Sequence, residues 1–199
     1  MIASVYCSGS IVKGVNDDKK LCWGDIEKKQ VEEGANPFEV VFLNPDDPIT
    51  DPGNVLGQFG RDMYQVSVAS VVIVDARERR GLGIGVEMAA AASLGTPVVV
   101  VAPRNSKYRS DTLEYRGVTI NDYVHPHVAS LAVEVVDDFT EAGVVLRRLP
   151  RKSTVPSADV AWLRDSIGEY VDNVLAHDPP MLEALHRLGI DSRGSVGCR

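Results

Sequence analysis

Three observations in the sequence predict an α/β fold, a Rossmann-like or flavodoxin-like parallel sheet with helices on both faces. Strand-like apolar runs alternate with helical patterns through the first hundred residues, the arrangement of a doubly wound sheet. The runs are nearly continuous in Val and Ile, as in VVIVDA and PVVVVA, which burial on both faces demands. A glycine-rich turn, GLGIG, then joins one such run to a helix of small residues.

Taken in order, the pattern predicts strands at Ile2 to Cys7, Phe38 to Leu43, Val71 to Ala76 and Pro97 to Ala102. Helices are expected at Asp18 to Glu33, Val55 to Ala69 and Ile84 to Leu94. The proline- and aspartate-rich stretch NPDDPITDPGN, from Asn44 to Asn54, continues neither neighbour and reads as a loop, or a lid, near the sheet's edge. Beyond Ala102 the pattern is polar, with a strand or short hairpin around Val118 to Ile120. His127 to Leu149 reads as a helix, or as a strand followed by a helix. Ser157 to Ala176 carries Val160, Leu163, Ile167, Tyr170, Val171, Val174 and Leu175 at helical spacing, with Ser157 as its cap. The basic, proline-flanked RRLPRKSTVP is a connector. The expected organisation is an α/β domain over 1–150 and a helical C-terminal extension over 151–199, its last residues frayed.

The chain has 199 residues, 44% hydrophobic and 25% charged, the balance of an ordinary globular protein. A net charge of −7 argues against a nucleic-acid polymer as partner, since that affinity comes from clustered Lys and Arg. A small anion remains compatible, because basic groups cluster locally at Arg77, Arg79 and Arg80. No apolar run is long enough to span a bilayer, and the expected location is cytoplasmic. The cysteines Cys7, Cys22 and Cys198 lack CxxC spacing and suit a reducing compartment.

In an open parallel sheet, ligands bind beyond the carboxyl ends of the strands. Two turns there stand out. SGSIVKG offers the hydroxyls of Ser8 and Ser10, unobstructed backbone at Gly9 and Ile11, and the charge of Lys13, a set suited to phosphate. RERRGLGIGVE places Gly81, Gly83 and Gly85 before Glu87, so that a ligand can approach the backbone near a helix N-terminus; glycines there also serve simply to make a tight turn. Neither GxxxxGK[ST] nor a complete dinucleotide fingerprint is present, which disfavours a nicotinamide dehydrogenase. Glu87 lies in an unusually apolar helix, either as a working carboxylate or as an acidic residue favoured by the helix dipole. Taken singly, Asp62 reads as a solvated residue and Tyr6 as a core aromatic. His125 and His127 lack a third ligand at recognisable spacing, so no metal is expected.

Together, VYCSGSI, GRD before ASVVIVD, and GLGIGVEMAAAASLGTPVVVV resemble the nucleoside 2-deoxyribosyltransferase superfamily, including its nucleoside 5′-monophosphate N-glycosidase branch. The resemblance spans Ile2 to Ala102. It implies a nucleophilic role for Glu87, a place beside the sugar for Asp62, and a position near the nucleophile for Tyr6. It also implies double displacement through a glycosyl ester, with no cofactor. Six positions before Glu87, where the transferases carry an aspartate and the nucleotide hydrolases a serine, this chain has Gly81. The SGSI turn is similar to the hydrolases' phosphate loop, and the expected substrate is a nucleoside 5′-monophosphate. Base exchange between nucleosides and a nucleotide-sensing module are the alternatives. The resemblance further implies a homodimer or higher homo-oligomer, for which Leu163, Ile167, Tyr170 and Val174 are the expected buried face.

Overall fold

The computed structural model describes residues 1–9, 23–45, 53–78, 81–150 and 161–190, with side chains from 167 onward in the last range. Its centre is a five-stranded sheet in the order β2-β1-β3-β4-β7, built from Ile2–Ser8 (β1), Glu39–Leu43 (β2), Val71–Asp75 (β3), Val98–Val101 (β4) and Glu134–Val136 (β7). Every pairing in this sheet is parallel, as the continuous apolar strands require. Strand order reverses between β1 and β3, which creates the crevice where such folds place ligands.

Side chains alternate across the sheet, so each strand feeds two cores. Val5, Cys7, Val71 and Ile73 face one layer, with Asp25–Ala35 (α1) and Phe139–Arg148 (α5). These two helices touch through glycines. A Cβ on Gly34 would fall 2.0 Å from the Thr140 carbonyl oxygen, and one on Gly143 would fall 2.3 Å from that of Val31. Tyr6, Val41, Val72 and Val74 face the other layer, with Val55–Val68 (α2), Leu82–Ser93 (α3) and Pro126–Leu131 (α4).

The seven expected elements of the first hundred residues are all present, with shifted ends. The first helix is described from Asp25, and the Asp18 to Cys22 part of its expected span lies outside the described residues, as does 46–52 of the expected loop. The hairpin is longer than expected: Arg109–Tyr115 (β5) pairs antiparallel with Val118–Val124 (β6). It is largely solvent-exposed along both strands, so no buried face imposes an apolar alternation that the sequence could show. The 127–149 region resolves into α4, β7 and α5 in turn.

Ala161–Asn173 (α6) is followed by a 3-10 turn, Leu175–His177, and by Pro179–Leu188 (α7). Asp178 caps α7 by accepting from the Met181 N–H, and Gly189 at φ 67° closes it. Ser157 and Val160, expected in the first of these helices, lie outside the described residues. Ile167, Tyr170, Val174, Leu175, Met181 and Leu185 belong to the same core as Tyr6 and Met63. Of the face expected to bury Leu163, Ile167, Tyr170 and Val174 against a second copy, Ile167, Tyr170 and Val174 are covered within the chain, and the Leu163 side chain lies outside the described residues. No described helix is long and apolar enough to cross a membrane.

Candidate functional site

Tyr6 and Ser8 sit two residues apart on β1 and so project to the same side of the sheet, the side that α3 covers. Glu87, in the second turn of α3, meets both. The Tyr6 hydroxyl donates to its Oε1 at 3.0 Å, and the Ser8 hydroxyl donates to its Oε2 at 2.5 Å. Each carboxylate oxygen has a neutral donor and keeps a second lone pair. Burial pushes Glu87 up to about 7, while the hydrogen bonds from Ser8 and Tyr6 pull the other way. Burial, and then the charges of Glu87 and Asp62, hold the Tyr6 phenol well above its ordinary range, so Tyr6 stays a donor. The site lies at the carboxyl edge beside the strand-order reversal, and the charge of Asp62 on α2 is felt there.

The glycines leave this carboxylate approachable. Gly83 lies one turn before Glu87, on its face of the helix, and a Cβ there would meet nothing within 4 Å; the same holds at Gly81 and Gly85. Gly81 caps α3 without a side chain, and the first turn of the helix holds no acidic residue. Its orphan N–H groups face the same edge.

Ser8, expected among the phosphate ligands, is found bonded to Glu87. Its hydroxyl proton is committed to Glu87, because β1 runs past its pairing with β2, which ends at Tyr6, and carries Ser8 up to α3. The Ser8 carbonyl is held from the opposite face by the Trp23 indole N–H at 3.1 Å. Trp23 itself packs edge-on against Phe139, with ring centroids 4.7 Å apart. Gly9 fits beneath it, since a Cβ would stand 3.2 Å from the indole. Ser10, Ile11, Lys13, Arg79 and Arg80 lie outside the described residues.

Arg77, expected to add positive charge for a phosphate, has another occupation. It binds the buried Asp75 through Nε at 2.9 Å and Nη2 at 3.0 Å, reaches Glu27 at 2.9 Å, and lies over the Phe139 ring. Asp75 ends β3 with its side chain on the α1/α5 side, so its charge draws Arg77 to the face opposite Glu87. The rings of His125 and His127 are 5.2 Å apart, and among the described residues no group of three His, Cys, Asp or Glu could hold a metal.

Two features had no signal in sequence. The Trp23 to Ser8 bond spans a segment that the pattern reads only as turn and helix. A second is a buried ion pair between Arg61 on α2 and Asp178 at the head of α7, with Arg61 fully buried. An Arg next to Asp62 in a helix reads locally as solvated; only its burial reveals the pairing.

No family model matches the chain, and no curated protein matches it. Among solved structures, the chain is similar to the 2-desoxiribosyltransferase from Leishmania mexicana, at 20% identity and a TM-score of 0.47, over 72% of this chain and 95% of that one. A likeness at this identity and score leaves the site to be read from its own geometry.

Proposed function

We propose that this chain hydrolyses the N-glycosidic bond of a nucleoside 5′-monophosphate by double displacement, with Glu87 as the nucleophile. The observation that carries this reading is the Glu87 carboxylate, held by Tyr6 and Ser8 at the carboxyl edge of the sheet beneath an open glycine turn. A carboxylate oriented by neutral donors keeps its negative charge available for a carbon that becomes positive in the transition state. Glu87 bonds to C1′ as the bond from C1′ to the base nitrogen breaks. The base departs with that electron pair and takes up a proton from Asp62 or solvent. Water then attacks C1′, releasing the sugar phosphate, a proton and the free carboxylate. Asp62 orients the sugar hydroxyls, and Tyr6 and Ser8 fix the nucleophile. The 5′-phosphate takes the uncapped N-terminus of α3, with Gly9, Ser10 and Lys13 completing its site. That terminus is about 7.5 Å along the helix from Glu87, comparable with the reach from C1′ to the 5′-phosphate of a nucleotide.

Incubation with a panel of nucleosides and their 5′-monophosphates tests this reading. Free base and sugar phosphate are expected, with kcat/KM for the monophosphate at least about a hundredfold above the nucleoside, the loss expected when two charge-assisted hydrogen bonds go unmade. Intact mass after an acid quench should show a sugar-phosphate adduct that Glu87→Ala abolishes. Equal rates on the two substrates would remove the phosphate site. Base exchange without net hydrolysis would make the chain a transferase, and unchanged ligand a binding module.

A further inference from the structure

The connection from β2 to α2 starts at Asn44 and ends at Asn54; Asn44 is held by side chains of α2, one of which pairs with the head of α7, and Asn54 is held directly by α6. Asn44 offers its carbonyl to Arg61 Nη1 at 3.1 Å and to Gln65 Nε2 at 3.4 Å. Arg61 is in turn paired through Nε with Asp178. Asp178 also accepts from the Tyr170 hydroxyl at 2.8 Å and from the Met181 N–H at 3.1 Å, so one carboxylate ties α2, α6 and α7 together. At the other end, Asn54 caps α2 by accepting from the Gly57 N–H at 2.8 Å, and donates through Nδ2 to Glu169 Oε1 on α6 at 2.9 Å. Gly57 lets the residue that follows α6 approach, since a Cβ there would lie 2.7 Å from Val174. Tyr64 and Tyr170 pack together two turns further along α2, with ring centroids 5.6 Å apart.

A surface helix needs no buried arginine to be stable, and a buried ion pair contributes little to net stability against an apolar replacement. Its directional bonds do fix one helix in register against another. Arg61 immediately precedes Asp62, whose charge already acts on Tyr6 beside Glu87. We propose that α6 and α7 clamp α2 onto the sheet, with Asp178 and Glu169 as positioning residues that set Asp62 at the site through Arg61 and Asn54. The inference rests on the glycosidase reading of the Asp62 site.

Two sets of variants test it. Asn54→Asp keeps the capping oxygen but removes the donor and sets two carboxylates together, and Glu169→Gln restores a donor. Base release from the monophosphate should fall at least tenfold in kcat with KM changed less than threefold in Asn54→Asp, and recover in Asn54→Asp/Glu169→Gln. Arg61→Met/Asp178→Asn removes the ion pair but keeps an oxygen to cap α7 and an amide N–H from which the Tyr170 hydroxyl can accept. With its melting temperature near wild type, the same kcat loss is expected, and adding Asp62→Asn should cost no more than Asp62→Asn alone. Hydrogen exchange over residues 55–68 is followed in parallel and should quicken in both Asn54→Asp and the pair variant. A normal kcat in both variants while Asp62→Asn is impaired overturns the clamp and leaves the glycosidase reading intact. An unimpaired Asp62→Asn removes Asp62 from the site and overturns the inference with it. If wild type releases no base, the glycosidase reading fails instead, and unchanged exchange in α2 then overturns the clamp independently.

Discussion

Two carboxylates at the same edge of the sheet are handled in opposite ways. Asp75, at the end of β3, is fully buried and neutralised by both arms of Arg77, with Glu27 completing the network. Glu87, facing the other side of the sheet, is less buried, and its described partners are two hydroxyls. The Asp75 arrangement is what a structural charge needs, because a buried ion without a counter-ion costs several kcal/mol. Leaving Glu87 with neutral donors keeps its ionisation costly, which shows in its rise to about 7. A fold that supplies an arginine to one carboxylate and, among the described residues, two hydroxyls to its neighbour holds the second in readiness for a positive charge that is not its own.

Three substitutions separate the two sites. Glu87→Gln should lower kcat for base release by a thousandfold or more, about 4 kcal/mol in the barrier, with the circular dichroism unchanged. Near-normal turnover would end its claim to be the nucleophile. Arg77→Met strands Asp75 and should destabilise the fold by about 3 kcal/mol, read from a urea midpoint, while the preference for a monophosphate over a nucleoside stays as in wild type. A lost preference would return Arg77 to the phosphate.

The third contrast is one of pH. Glu87 titrates near 7 when folded and near 4.5 when unfolded, so the folded state binds the extra proton between these values. Stability from this group is full below about 4.5 and declines as pH rises towards and past 7. Glu87→Gln should accordingly gain about 1–3 kcal/mol on wild type at pH 8 and little at pH 4. A variant equally affected at both would mean that Glu87 is not costly to ionise. Activity runs the opposite way, since attack needs the carboxylate: kcat/KM should climb with pH up to about 7 and then level. Ser8→Ala removes a bond that favours the ionised form, and should move that midpoint upward by about one pH unit. An unmoved midpoint with unchanged kcat would return Ser8 to phosphate binding.

Much of the sheet was legible because its signals are local. Val and Ile runs mark strands buried on both faces, and the small residues behind Glu87 mark a helix that packs closely. Tyr6 lay on the expected strand, but Ser8 was read into the turn after Cys7, and only the extension of β1 to Ser8 puts the two on a common face. The exposed hairpin was only glimpsed, for want of a buried face, and the end of the C-terminal helix at Asn173, short of the expected Ala176, was hidden by apolar spacing that continues through Val174 and Leu175.

By itself the sequence determined the alternation of strands and helices, the parallel sheet, and the candidacy of Glu87, because periodicity and turn chemistry act over a few residues. The tertiary structure decided which side chains serve which partner. Ser8 reaches Glu87 across 79 residues, Arg61 reaches Asp178 across 117, and Arg77 turns back to Asp75 instead of toward a ligand. Those choices depend on how strand order stacks distant segments and on where burial makes an unpartnered charge too costly, and neither is encoded in any local pattern.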